Sequence, residues 1–313
     1  MNKKIAIVIT GPTASGKSAL AVSLAKELNT EIISADSRQV YRGIPIVTAV
    51  PSIEERGGIP HHLLECLNLD EYYSAARFEE DASKIMGEVF KERDYIVVCG
   101  GSMLYTDALI DGIDLLPTVP PDIREGLMNE WKEKGDEWLL NQLEILDPVY
   151  YQKIDHRNLK RVFHAVEISL VASKPYTSLL TGKSGNEPGK SKNSEYEFIK
   201  VCLEGERELL FDRINQRVLK MVDDGLEEEA RSVYHLRHLN SLNTVGLKEM
   251  FTLFDGKFSR AEAIARIQKN TRVYAKKQLT WHKRDEKRVT LDFAASPEYN
   301  TEKILLLLRT YKS

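Results

Sequence analysis

Short apolar, β-branched runs recur along the chain, separated by stretches with helix-spaced apolar positions. Ile5–Thr10 (IAIVIT), Glu31–Ala35 (EIISA), Tyr95–Cys99 (YIVVC) and Glu197–Leu203 (EFIKVCL) each suit a strand buried on both faces, as in a parallel sheet. Ser18–Leu28, rich in Ala and Leu, reads as the helix after the first run. Strands alternating with helices predict an α/β fold on a parallel sheet. Ligands of such sheets gather at the carboxyl ends of the strands. That puts Gly11, Asp36 and Gly100–Ser102 on one edge.

The pattern changes after Asp114. Pro117, Pro120 and Pro121 punctuate the chain, and from there to Leu180 it reads helical. Thr181–Ser194 is polar and rich in Gly, Lys and Ser, the composition of a flexible loop. Residues 117–194 are therefore expected to form a small all-helical insertion in a core made of 1–116 and 195–313. Beyond Glu204 the chain again reads mostly helical to its end.

Composition narrows the classes. The 313 residues are 42% hydrophobic and 29% charged, enough to bury a full core without covalent staples. A formal net charge of −3 gives no global attraction for nucleic acid or membranes, so any basic face must come from local clustering. Cys66, Cys99 and Cys202 are far apart and lack metal-ligand spacing, which fits a reducing cytoplasm rather than a disulfide framework. No signal peptide or membrane span is expected.

Gly11–Ser18 (GPTASGKS) matches G-x-x-x-x-G-K-[ST] between a predicted strand and a predicted helix. A loop of Gly11, Pro12, Thr13, Ala14, Ser15 and Gly16 can turn backbone N–H groups toward phosphate oxygens. The helix N-terminus adds positive potential. Lys17 supplies a mobile charge, and the Ser18 hydroxyl can ligate Mg²⁺. A kinase, a hydrolase and a diphosphate-releasing transferase would all use such a loop. Asp36, at the end of the second strand, is either a general base or hydrogen-bond acceptor for substrate or the cap of the following turn; spacing favours neither. Val98–Ser102 (VCGGS) ends its strand in two glycines that permit close approach, with Ser102 offering a hydroxyl. By itself it is an ordinary strand-to-helix turn. No acidic residue ends that strand, which disfavours a switch or motor NTPase.

The remaining candidates are weaker. His61 and His62 are adjacent, so on regular structure they point apart and lack a completing ligand set; a structural or substrate-contact role is expected. His235 and His238 suit a solvated helix face. Asn270–Arg284 is strongly basic: Lys269, Arg272, Lys276 and Lys283 fall near one helical face, and Tyr274 and Trp281 could anchor the helix. A solvated amphipathic helix is the plain alternative. Lys153, His156, Arg157, Lys160 and Arg161 form a second basic cluster. Arg213 and Arg217 share a helical face, and either could close over a phosphate or pair with neighbouring carboxylates.

Taken in order, GPTASGKS, ISADSRQVY, PHHLL, YSAARFEEDA, VVCGGSMLY, RINQRV, VGLKEM and NTRVYAKKQLTW resemble the bacterial tRNA dimethylallyltransferases over nearly the whole chain. The last segment is the most specific, because a generic P-loop kinase has no reason to carry it. The resemblance implies a P-loop NTPase-like parallel sheet with a helical insertion that contacts tRNA. It implies Mg²⁺-dependent transfer of a dimethylallyl group from dimethylallyl diphosphate to N6 of the adenosine 3′ to the anticodon, by a cytoplasmic monomer acting on the anticodon stem-loop. Carried over residue by residue, Thr13–Ser18 hold the diphosphate with Lys17 as counter-charge and Ser18 near Mg²⁺. Asp36 is the base. Ser102 stands where the family commonly has threonine and keeps the hydroxyl that positions reacting groups. Arg217, with Arg213 as rival, grips the diphosphate. Contacts to tRNA fall on Asp36, Ser37, Arg38, Gln39, Ser102, Arg124, Lys160, Arg161, His164, Arg272, Lys276 and Lys277. The chain departs from the family in Ile44–Pro51, where a familiar lysine is missing, and in Gly246-Leu247-Lys248, where the second residue is commonly tyrosine. The competing readings are a P-loop kinase of a small metabolite and a non-catalytic tRNA-binding protein.

Overall fold

The computed structural model describes residues 3–114, 116–180, 193 and 195–312. Six strands form one sheet: β1 (Ile5–Thr10), β2 (Ile32–Ser34), β3 (His61–His62), β4 (Tyr95–Cys99), β5 (Glu197–Glu204) and β6 (Val289–Asp292). Their order is β3-β2-β4-β1-β5-β6 and every pairing is parallel. β1 is central, with Ile7 opposite Val97 on one side and Ile199 on the other. All six of its residues are buried, which is why the run carries no polar alternation. The helix Lys17–Glu27 covers the sheet through Leu20, Ala21 and Leu24, packing with Ile304 and Leu308 of the C-terminal helix in the same core.

Two strands depart from the sequence reading. β6 interrupts the stretch beyond Glu204 that reads as helix; it is a four-residue edge strand with only Leu291 buried. β3 is formed by the two histidines themselves, opposite Ile32 and Ile33. His62 Nε2 lies 2.6 Å from Glu31 Oε2, and His61 Nδ1 lies 2.8 Å from the Ile59 carbonyl oxygen. Both rings are thus committed to the sheet edge, and no metal-binding group of His, Cys, Asp or Glu occurs among the described residues.

The chain divides into two compact units, one of Met1–Ile110 with Asn193–Ser313 and one of Asp111–Lys192. The expected loop at 181–194 lies outside the described residues except for Asn193. In the second unit the helix Pro121–Leu146, broken at Gly135, packs Leu127, Leu139 and Leu143 against Val162, Phe163 and Val166 of the helix Leu159–Ala172. Its sequence explains the core: apolar residues return every three to four positions on both helices. No helix among the described residues is long and apolar enough to cross a membrane.

Candidate active site

At the carboxyl end of β1 the chain turns sharply into a helix. Gly16 takes a left-handed conformation (φ 82°) at the N-cap and provides no side-chain cap, so the first-turn N–H groups face outward to bind an anion. Lys17 Nζ donates to the Pro12 carbonyl oxygen at 2.7 Å. Burial is the main cause lowering its pKa to about 8, with Cys99 opposing this and Arg217 adding to it. Ser18, on the same turn, lines the cleft beside Thr13 and Lys17. Its hydroxyl is a hard oxygen donor of the kind Mg²⁺ takes together with phosphate oxygens, so the residues present fit that ion.

Asp36 lies two residues beyond β2. Its Oδ1 accepts from the backbone N–H of Arg38 at 2.9 Å and of Gln39 at 3.4 Å. The capping reading holds, with one oxygen on the turn, while Oδ2 has no protein partner among the described residues and the residue lines the cleft. The next strand approaches this turn closely. A Cβ on Gly100 would stand 2.1 Å from the Ala35 carbonyl oxygen, so no larger residue fits there.

Ser102 is committed to the turn that carries Asp36. It is 9% exposed and does not line the cleft. Its Oγ accepts the Ser37 N–H at 2.8 Å, and its own N–H donates to the Ala35 carbonyl oxygen at 3.2 Å. The hydroxyl thereby fixes the turn that carries Asp36. Arg38 and Gln39 line the cleft but are also committed internally. Arg38 donates to the carbonyl oxygens of Asn240, Ser241 and Asn243. Gln39 Nε2 donates to those of Thr48 and Ala49. These hydrogen bonds brace the walls of the cleft.

The helix Arg207–Asp223 sends its two candidate arginines to different places. Arg217 Nη1 donates to Thr13 Oγ1 at 3.4 Å and lines the cleft. Ile214, Val218 and Met221, at positions i−3, i+1 and i+4 from Arg217, line it too. Arg213 instead donates to the Phe293 carbonyl oxygen at 3.0 Å, with its guanidinium 5.0 Å from the centre of that ring.

The helix Arg260–His282 forms another wall. Tyr274, Lys277 and Gln278 line the cleft. Arg272 and Lys276 do not: Arg272 Nη1 donates to Asn215 Oδ1, and both cations lie over the Phe211 ring. The basic run is thus split between two faces. Trp281 anchors the helix, with Nε1 donating to Asp107 Oδ2 at 2.9 Å. The buried Gln278 has no counterpart among the residues singled out in the sequence. Its Oε1 accepts from Thr13 N–H and its Nε2 donates to the Gly101 carbonyl oxygen, both at 2.9 Å. Only its place in the NTRVYAKKQLTW segment could have signalled it.

The segment lacking the familiar lysine contributes Val47, Thr48 and Ala49 to the cleft. Glu229 holds it, accepting from Ile46 N–H at 2.7 Å and Val47 N–H at 2.8 Å. Lys248 lines the cleft and is exposed. The whole forms a cavity of about 670 Å³ with cations at Lys17, Arg38, Arg217, Lys248 and Lys277, one carboxylate at Asp36, and apolar side chains from Val47, Ile214, Val218, Met221 and Ile267. In the second unit, Arg124 and His164 both reach Glu167 Oε1, at 3.2 and 2.9 Å. Lys160 and Arg161 are exposed on the first turn of the helix Leu159–Ala172.

One cleft of this P-loop-like fold thus joins a phosphate loop at the end of a parallel strand to an arginine, an apolar wall and one free carboxylate oxygen. Comparison with known proteins agrees. The IPP transferase family model matches residues 39–285. A tRNA dimethylallyltransferase 2 of Porphyromonas gingivalis is 46% identical over 278 residues, which cover 89% of this chain and 90% of the relative. A tRNA dimethylallyltransferase 1 of Bacteroides thetaiotaomicron is 45% identical over 280 residues, 90% and 89% of the two chains. Among solved structures, a tRNA isopentenylpyrophosphate transferase of Bacillus halodurans matches with a TM-score of 0.71 at 33% identity, over 98% of this chain and 96% of its own. A eukaryotic dimethylallyltransferase acting on tRNA matches with a TM-score of 0.78 at 25% identity, over 93% and 74%. The chain belongs to the IPP transferase family, and the relatives it resembles are tRNA dimethylallyltransferases.

Proposed function

We propose that this protein transfers a dimethylallyl group from dimethylallyl diphosphate to N6 of the adenosine 3′-adjacent to the anticodon of tRNA, releasing diphosphate. The observation that carries this reading is the single cleft that joins a phosphate loop and Arg217 to an apolar wall and to Asp36. Thr13, Lys17, Ser18 and Arg217 suit the diphosphate, and Ile214, Val218 and Met221 suit a five-carbon tail. As the N6–carbon bond forms, the bond from that carbon to the diphosphate oxygen breaks and its electron pair leaves with diphosphate. The N6 proton passes to Asp36 Oδ2.

An adenine amine is a weak nucleophile, so alignment contributes more than basicity. Lys17, Arg217 and the loop amides stabilise charge growing on the leaving diphosphate. Mg²⁺ held by Ser18 Oγ and diphosphate oxygens would add to that stabilisation. A cleft of this kind receives the base flipped out of its stack. Lys277 and Lys248 suit tRNA phosphates at the rim, and Arg124, Lys160, Arg161 and His164 suit them on the helical unit.

The test is incubation with radiolabelled dimethylallyl diphosphate and unmodified tRNA, followed by digestion to nucleosides. Label in prenylated adenosine supports the reading. No transfer, with ATP consumed and a small acceptor phosphorylated, favours the P-loop kinase instead.

A further inference from the structure

We infer that Gln278 is a positioning residue that sets the separation between the diphosphate cradle and the base. The inference rests on the function proposed above. Gln278 is 1% exposed, and both ends of its carboxamide are used. Oε1 can only accept from Thr13 N–H and Nε2 can only donate to the Gly101 carbonyl oxygen, so the two contacts, each at 2.9 Å, fix the amide's orientation. One side chain thus ties the loop after β1 to the loop after β4.

Each end continues into the chemistry. Thr13 Oγ1 accepts from Arg217, so the amide side of Thr13 is held by Gln278 and its hydroxyl side by the arginine facing the diphosphate. Gly101 precedes Ser102, whose Oγ holds Ser37 N–H and with it the turn that orients Asp36. The route Thr13–Gln278–Gly101–Ser102–Ser37–Asp36 runs from the leaving-group site to the proton acceptor. A Cβ on Gly101 would stand 2.6 Å from Gln278 Nε2, so the glycine is matched to this contact.

Transfer between a bound diphosphate ester and a bound amine depends on their relative placement, and an error of about 1 Å can cost about 10²-fold in rate. Gln278 touches both loops while Asp36 and Lys17 do the chemistry, so its removal should lower kcat and leave KM for each substrate essentially unchanged. A residue that merely supported the phosphate loop would raise KM for the donor.

The experiment measures steady-state and single-turnover label transfer for Q278A, Q278E, G101A and the double variant G101A/Q278A, together with inorganic diphosphate binding. Q278E is nearly isosteric and keeps the acceptor for Thr13 N–H but loses the donor to Gly101. It shows the effect even if Q278A folds poorly. The expected result is a kcat lower by about 10²-fold in both Gln278 variants, unchanged diphosphate affinity in Q278A, and a double variant no slower than the worse single one. A raised donor KM with wild-type kcat, or additive losses in the double variant, overturns the inference. Failure of the underlying function would show separately, as wild-type protein that transfers no label.

Discussion

Arg217 Nη1 donates to Thr13 Oγ1 at 3.4 Å although the two residues lie 204 positions apart. The contact places a half-buried guanidinium over the phosphate loop, where loss of water lowers its pKa and the nearby Asp36 carboxylate partly offsets this. Arg213, one helical turn earlier, is spent on Phe293.

Removing the two arginines should therefore give different phenotypes. Arg217→Ala should lower kcat by about 10²-fold, the scale of losing a charged donor to the developing anion. Arg217→Lys should recover little, because an ammonium cannot reproduce the guanidinium fork. Arg213→Ala should keep the transfer rate per folded molecule and lower thermal stability by about 1 kcal/mol through the lost stacking on Phe293. Steady-state kinetics beside thermal melts distinguish the pair; a reversed pattern would move the diphosphate contact to Arg213.

Lys17 predicts the pH dependence of donor binding. Its pKa is lowered to about 8, chiefly by burial. The ammonium therefore dominates below that pH in the free protein, and the neutral amine above it. Affinity for inorganic diphosphate should fall as pH rises through about 8. Binding just above that pH should take up a proton, since the anion favours the charged lysine. Titration calorimetry in two buffers of different ionisation enthalpy measures the uptake. Lys17→Met should abolish both the uptake and this pH step.

Ser102 provides a test of positioning through a hydroxyl. Ser102→Ala leaves the part-buried Ser37 N–H without its acceptor, at a cost of about 1–3 kcal/mol. It should lower kcat more than it changes tRNA affinity. Ser102→Thr keeps the hydroxyl and should transfer at close to the wild-type rate. Equal activity of the alanine and threonine variants would show that the Asp36 turn holds itself.

The central strands were legible because β1 and β4 are buried on both faces and must be written in apolar, β-branched residues, and β5 is buried at Ile199 and Val201–Leu203. β3 and β6 were not. Each is a short edge strand, so few of its positions are constrained, and β3 is made of two histidines whose ring partners lie elsewhere in sequence. The phosphate loop and Asp36 were legible as local patterns. Gln278 was not: a polar residue in a charged run looks solvated until the fold brings Thr13 to it across 265 positions. Arg213 and Arg217 share a helical face, so only the positions of Phe293 and Thr13 separate them. Ser102 carried the right group, but its partner, the Ser37 N–H, is visible only in three dimensions.

The split of the basic helix predicts unequal tRNA effects. Lys277 lines the cleft, whereas Arg272 and Lys276 lie over Phe211. Lys277→Ala should weaken tRNA binding and reduce the salt slope of log K by about one phosphate contact. Arg272→Ala should leave that slope unchanged and lower stability through its lost contacts with Asn215 and Phe211. Filter binding over a salt series compares them. A smaller slope in Arg272→Ala would place the tRNA on the other face of the helix.

The most direct measurement of the account is single-turnover transfer of labelled dimethylallyl to tRNA by wild-type protein and by Asp36→Ala, with tRNA affinity measured in parallel. Asp36 is proposed to take the N6 proton inside a cleft that already holds both substrates. Its loss should slow transfer by about 10²–10⁴-fold while tRNA binds nearly as before. A wild-type transfer rate in Asp36→Ala would contradict the account.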